Sequence, residues 1–83
     1  MNKYVIVSDR FSDYNDIAEF EASSLKDLFT QFAEYNGDDY RIHLKAMNAM
    51  ETVEDFVDLW NKFSSTRISA IYEISNIIYK ENN

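Results

Sequence analysis

The chain has one histidine, His43, no cysteine and 15 carboxylate side chains, so few residues could carry out catalysis. A catalytic histidine needs a nucleophile or a carboxylate placed beside it. His43 lies between Arg41 and Lys45 in the alternating stretch "DDYRIHLKAM", and no sequence cue identifies such a partner. There is also no phosphate-binding glycine loop and no nucleophile elbow. We therefore predict a surface position for His43, no catalytic residue and no enzymatic activity.

Two groups of carboxylates could in principle bind a hard cation. Asp38 and Asp39 lack the aspartate and glycine spacing of a calcium loop. In the second group, Glu54 and Asp58 lie one turn apart on the exposed face of a predicted helix, and the other members are explained by helix capping. This second group is Glu51, Glu54, Asp55 and Asp58. We predict neither a metal ion nor a cofactor.

The charge of the chain is strongly acidic and uneven. It carries 15 acidic and 8 basic residues, and residues 1–60 hold 13 of the acids and 5 of the bases, a net charge of −8. Such a surface repels phosphate, which argues against direct binding to nucleic acid or to an anionic membrane. The partners that remain are basic surfaces, above all the nucleic-acid-binding clefts of other proteins.

The densest acidic stretch is "SDRFSDYNDIAEFEA", from Ser8 to Ala22. In an extended strand Glu19 and Glu21 would lie on one face about 6.7 Å apart, which is the scale on which a nucleic-acid strand presents phosphates. Aromatic residues inside such a charged surface are typical anchors of protein interfaces. The predicted partner-binding residues are Asp9, Phe11, Asp13, Tyr14, Asp16, Glu19 and Glu21, extended by Glu34, Asp38 and Asp39. In a second interpretation Arg41 and Lys45 pair with Glu19 and Glu21 across the sheet and leave a solvated, neutral face.

The elements that would position these residues follow from hydrophobic periodicity. "KYVIVS" and "IAEFEAS" predict a β-hairpin joined by an acidic loop from Asp9 to Asp16. "SSLKDLFTQFAEYNG" predicts a helix that begins at the Ser24 cap and ends at Gly37, and "ETVEDFVDLWNKFSS" predicts another. "DDYRIHLKAM" alternates like a strand. These patterns predict one α+β domain over residues 1–83.

The tail "RISAIYEISNIIYKENN" fits two structures. Its isoleucines and tyrosines form a helical stripe, but five isoleucines also suit a strand. We favour the helix, which gives the order β-β-α-β-α-α, a small antiparallel sheet of about three strands with helices packed on it. The wide apolar arc of residues 67–80 also allows a homodimer through this segment. Without cysteine or a membrane-spanning apolar run, the chain is predicted to be cytoplasmic.

The stretch "VIVSDRFSDYNDIAEFEA", followed by a helix, by "DDYRIH" and by the acidic helix "METVEDFVDLW", resembles one module of the ArdA-type antirestriction proteins. Tyr14 and Asn15 match that family's turn, Phe20 its central aromatic, and Ile42 and His43 its next strand. The resemblance covers roughly residues 4–63 and implies inhibition by DNA mimicry. Small acidic anti-CRISPR proteins act in a comparable way.

We therefore predict an inhibitor, encoded by a phage or mobile element, that occupies the basic DNA-binding cleft of a host defence nuclease. Steering by opposite charge would make its association fast and sensitive to salt. Two alternatives stay open. The chain could be an acidic antitoxin or immunity-type protein that neutralises a basic toxin, or a small structural subunit that dimerises.

Overall fold

Four antiparallel strands form one sheet in the computed structural model, which describes residues 2–11, 14–64, 66–73 and 76–80. The strands are β1 (Asn2–Phe11), β2 (Tyr14–Ala22), β3 (Arg67–Glu73) and β4 (Asn76–Lys80). Their order across the sheet is β2-β1-β3-β4, so β2 and β4 are the edge strands. The predicted α+β class is confirmed, with the sheet one strand larger than expected.

The helical elements come between β2 and β3 in the chain. They are α1 (Leu25–Asn36), a 3-10 helix (Tyr40–His43), α2 (Leu44–Ala49) and α3 (Val53–Phe63). They pack on the sheet face that carries Ile6, Phe20 and Ile68, which are all buried. None of the helices within the described ranges is both long and apolar enough to cross a membrane.

Helices α1 and α3 begin and end where their capping residues predict. The Ser24 hydroxyl accepts a hydrogen bond from the Asp27 amide, and Thr52 and Asp55 form a reciprocal capping box at the start of α3. Gly37 ends α1 with φ of 76°, a left-handed conformation that glycine adopts without steric cost. Its amide and that of Asp38 donate to the carbonyls of the last turn of α1.

The hairpin forms as predicted, but its connection is shorter than the acidic loop from Asp9 to Asp16. Strand pairing continues to Phe11 opposite Tyr14, with a bulge between Asp9 and Phe11. Asp9 and Asp16 therefore belong to strands. The alternation of "IAEFEA" sets the register, because Ala18 and Phe20 lie opposite Ile6 and Tyr4 on the buried face.

The predicted third strand over "DDYRIHLKAM" is wrong, because this stretch forms the 3-10 helix and α2. The Asp39 carboxylate accepts the Arg41 amide at 3.0 Å and starts the turn as a cap. Tyr40, His43 and Met47 then face inward at near-helical spacing, and Ile42 is 77% exposed. The Ile42–His43 strand implied by the ArdA resemblance is absent for the same reason.

The helix favoured for residues 67–80 is also wrong, because this segment forms β3 and β4. Strand β3 pairs with β1, which would otherwise be an edge, and Ile71 lies opposite Ile6 in the core. Stiff β-branched side chains favour this extended conformation. The wide helical arc that suggested a homodimer through residues 67–80 therefore does not form, and the homodimer through this segment stays a prediction.

The centre of the core, between the sheet and the helices, is aromatic. The ring of Trp60 lies 4.5 Å from that of Phe32 and 5.2 Å from that of Phe29, measured between centroids. Phe56 completes the group at 5.2 Å from Phe29. These rings, all almost completely buried, fix α1 against α3 and hold the 3-10 helix beside them.

Candidate protein-binding surfaces

The sheet has a second face, here called the open face, which the helices do not cover. On β1 and β2 it carries Val5, Val7 and Ile17, since these alternate with the buried residues and lie on one side by register. Ile17 is 69% exposed and Val5 and Val7 are half-buried. Two residues of β3 continue the apolar centre, and charged residues surround it. In the described parts of β1 to β3, the apolar centre comprises Val5, Val7, Ile17, Ala70 and Tyr72, and the charged residues around it are Lys3, Asp9, Glu19, Glu21 and Arg67.

A group of carboxylates lies along β2, the edge strand. Helix α1 runs beside this strand, because the Gln31 side chain donates to the Glu21 carbonyl at 2.7 Å and Tyr35 packs edge-to-face on Phe20 at 5.6 Å. Glu34 is three residues from Gln31 and therefore lies on the same side of α1. We call these side chains the acidic edge: Asp16, Glu19, Glu21 and Glu34. Glu19 and Glu21 project on the open face, whereas Asp16 lies opposite Ser8 on the side of the helices, as does Glu34 on α1.

The acidic edge is largely uncompensated. Glu19 pairs with Lys3 at 3.6 Å, with both side chains about 60% exposed. Such a pair contributes roughly 0–1 kcal/mol and is screened by salt. Among the residues that the structure describes, no ion pair or side-chain hydrogen bond engages the carboxylates of Asp16, Glu21 or Glu34. The second interpretation, in which Arg41 and Lys45 pair with Glu19 and Glu21 across the sheet, does not hold, because residues 40–49 form helices and Arg41 binds Asp39.

The structure brings together only part of the predicted partner-binding set. Asp9 lies on the open face, opposite Asn15 and Arg67. Phe11 and Tyr14 are paired by their backbones at the end of the hairpin, and Asp13 lies outside the described residues. Asp38 and Asp39 lie elsewhere, at a cavity between α1, the 3-10 helix and α3.

This aromatic cavity has a volume of about 110 Å³. Its floor is formed by the buried rings of Phe29 and Trp60, and its rim includes Ile42 and Phe63, which are 77% and 53% exposed. The complete lining is Phe29, Ala33, Asp38, Asp39, Tyr40, Ile42, His43, Trp60, Phe63 and Ser64. The capped turn at Asp39 positions Tyr40 and His43 over the end of α3.

The two carboxylates of the cavity differ in their electrostatic environment. Arg41 binds Asp39 through two hydrogen bonds, at 2.9 and 3.1 Å, and these contacts lower the pKa of the Asp39 carboxyl below its usual value. Asp38 accepts one hydrogen bond from the Ser64 hydroxyl at 3.1 Å and has no cationic partner among the described residues. Asp38 is therefore the unneutralised charge of the cavity.

His43 is part of this cavity and not a residue of an exposed strand. Its ring lies 4.5 Å from that of Phe63 and 6.4 Å from that of Phe29. The sequence alone does not reveal the cavity, because the alternation of residues 40–46 predicts a strand, which would separate His43 from Phe63. Tyr40 and His43 at one end of "YRIHLKAMNAMETVEDFVDLWNKF" and Trp60 and Phe63 at the other were the available signal.

In the described part of the chain, no group of three or more histidine, cysteine, aspartate or glutamate residues could hold a metal ion. Comparisons with protein-family models, with curated proteins and with solved structures gave no match. The resemblance to ArdA-type modules stays a prediction, as does the absence of enzymatic activity.

Proposed function

We propose that this protein is an inhibitor, encoded by a phage or mobile element, that acts in the cytoplasm of the host. It binds the basic nucleic-acid-binding cleft of a restriction or CRISPR nuclease as a mimic of DNA. The observation that carries the proposal is the acidic edge, where one weak ion pair accompanies four carboxylates. An uncompensated charge of this kind costs self-repulsion in the free protein, and a basic partner relieves that repulsion.

The arrangement of the edge also suits mimicry. Glu19 and Glu21 project from the same side of β2 at a spacing of about 6.7 Å, and Asp16 and Glu34 add carboxylates on the helix side of the same edge. Strand β2 is an edge strand of the described sheet, and the helices leave the side of Glu19 and Glu21 uncovered, so a partner can reach these carboxylates. All four carboxylates belong to regular elements, so the charges are positioned before binding and little entropy is lost on association.

Charges on an edge strand have a competing explanation, since they prevent edge-to-edge aggregation. Charge reversal separates the two explanations. Lysine protects an edge strand as well as glutamate does, so the double variant Glu19→Lys/Glu21→Lys should fold and remain monomeric. A basic cleft would repel the same variant.

The test is phage plating on strains that each carry one restriction or CRISPR system and express this protein. Wild type should restore phage plating on at least one strain. The efficiency of plating with Glu19→Lys/Glu21→Lys should be at least tenfold lower than with wild type. The matched control is Glu54→Lys/Asp58→Lys, which makes the same charge change on the exposed side of α3. The proposal fails if no defence system is blocked, or if the two double variants protect equally well.

The open face favours a second candidate, a small structural subunit that dimerises. Its apolar centre exposes Ile17 beside Val5 and Val7, and a rim of both charge signs is compatible with self-association. Sedimentation velocity of wild type and Ile17→Lys tests this candidate. A dimer that Ile17→Lys converts to monomer supports it, and a monomeric wild type at high micromolar concentration rejects it.

A further inference from the structure

We infer that the aromatic cavity is a binding site for one arginine side chain of the partner. Two kinds of group that recognise a guanidinium meet there, aromatic rings and a carboxylate that has no cationic partner among the described residues, and the rim of the cavity is open to solvent. A guanidinium is planar, so it can stack on a ring while it donates two parallel hydrogen bonds to a carboxylate. This inference rests on the proposed function, because that function supplies the basic partner.

The size of the cavity selects the class of ligand. A volume of about 110 Å³ is well below the 300–1,000 Å³ typical of pockets for drug-sized ligands and cofactors. It is of the order of the engineered cavity of about 150 Å³ that binds one benzene molecule. A single side-chain head group fits, and a nucleotide does not.

The charge of the cavity selects among such head groups. Asp38 and Asp39 both line it, and Arg41 neutralises only Asp39. A phosphate or carboxylate would be repelled by Asp38. A cation can form an ion pair with the Asp38 carboxylate, which is accessible because Asp38 is exposed.

The aromatic rim already has a cation beside it. The Lys62 ammonium lies 5.6 Å from the centroid of the Phe63 ring, within the range of a cation–π contact. This contact shows that the ring is accessible to cations. Lys62 also opposes a second cation by charge, so its removal should improve arginine binding.

The chain provides its own probe, because Trp60 is its only tryptophan and lines the cavity. The experiment titrates N-acetylarginine methylamide into the full chain and follows the Trp60 indole N–H resonance and the tryptophan fluorescence. The citrulline analogue, which has the same shape without the charge, is the reference ligand, at matched ionic strength. Arginine should give a saturable change with half-saturation at about 1–10 mM, as expected for so small a ligand, and citrulline should bind at least fivefold more weakly.

Variants show on which residues arginine binding depends. Asp38→Asn should weaken arginine binding about tenfold, Phe63→Leu should weaken it several-fold, and Lys62→Met should tighten it. Asp58→Asn, which removes the same charge from an exposed position of α3, should leave it unchanged. Equal responses to arginine and citrulline, no change up to 50 mM arginine, or equal effects of Asp38→Asn and Asp58→Asn would each overturn the inference.

The arginine titration and the plating assay fail independently. If arginine binds at the cavity but no nuclease is inhibited, the proposed function is wrong and the cavity site stands. If plating is restored but arginine does not bind, the inhibitor acts through the acidic edge alone.

Discussion

The two faces of the sheet differ in whether the helices cover them and in the kinds of contact that their side chains make. The face toward the helices buries Tyr4, Ile6 and Phe20 under aromatic rings of α1 and α3. The open face carries Val5, Val7 and Ile17 beside exposed charges, and its Lys3–Glu19 ion pair is 3.6 Å long. The covered face therefore supplies the stability of the fold, and the open face with its acidic edge can change without unfolding the protein.

The two acidic surfaces also differ. The acidic edge presents several carboxylates on regular elements, and it suits an extended basic partner. The aromatic cavity presents one unneutralised carboxylate, Asp38, among rings, and it suits a single cationic group. Long-range attraction and local recognition are thus assigned to different parts of the molecule.

The largest expected effect comes from truncating the covered face. Phe32 is fully buried and touches the rings of both Phe20 and Trp60. Phe32→Ala should lower the free energy of unfolding by about 3–5 kcal/mol through lost burial and the cavity left behind. Urea denaturation followed by circular dichroism measures this loss.

The matched change on the open face is Ile17→Thr, which keeps a β-branched side chain in β2 and alters an exposed residue. It should change the free energy of unfolding by no more than about 0.5 kcal/mol. Comparable losses in the two variants would contradict the division of roles between the faces.

A smaller loss of stability is expected on acidification, and it arises at the starts of helices α1 and α3. Backbone hydrogen bonds at the helix starts lower the pKa of Asp27 and Asp55 below the usual 3.8. Because the folded protein holds these protons less tightly than the unfolded chain, their stabilisation is present above pH 3.8 and is lost as the pH falls through the folded values. Asp55→Asn should therefore destabilise the protein at pH 7 and match wild type near pH 2.

Urea midpoints of wild type and Asp55→Asn across pH 2–7 measure this convergence. Glu19→Gln is the control for the loss of one negative charge, because the Glu19 carboxylate caps no helix. A constant difference between Asp55→Asn and wild type at all pH values would contradict the capping account.

A small effect on stability is also expected at the ion pair of the open face. Lys3→Met removes the partner of Glu19 while it keeps an unbranched side chain on β1. The free energy of unfolding should change by less than about 1 kcal/mol, since both side chains are exposed. Binding to a basic partner should instead improve, because the variant makes the acidic edge more negative. Weaker binding by Lys3→Met would show that the edge does not act through its charge.

The parts of the fold that the sequence predicted are those with local signals. Ser24, Gly37 and the Thr52–Asp55 box mark helix ends through contacts within a few residues, and the alternation of "IAEFEA" sets the face of β2. The tail could not be decided locally, because its isoleucines fit a helix or a strand. Its pairing with β1, more than sixty residues away in sequence, decides the outcome.

The sequence predicts only part of the candidate site, because only some of its residues have local signals. Glu19 and Glu21 follow from strand alternation, and the structure places them on one face as expected. Asp38 and Asp39 were assigned to the same surface, but the capped 3-10 turn directs them to the cavity instead. Alternation predicts Tyr40 and Ile42 on one face of a strand, whereas the 3-10 turn directs Tyr40 and His43 inward at a spacing of three. The Asp39 cap is the local feature that favours the turn.

The most direct test of the central claim is displacement of DNA. A fluorescent duplex is bound to the nuclease identified by plating, and its anisotropy is followed as this protein is added. DNA mimicry predicts release of the duplex at near-stoichiometric inhibitor, a weaker effect at high salt, and no release by Glu19→Lys/Glu21→Lys. A ternary complex that keeps the duplex bound, with inhibition intact, would contradict mimicry and would favour a neutraliser that acts away from the cleft.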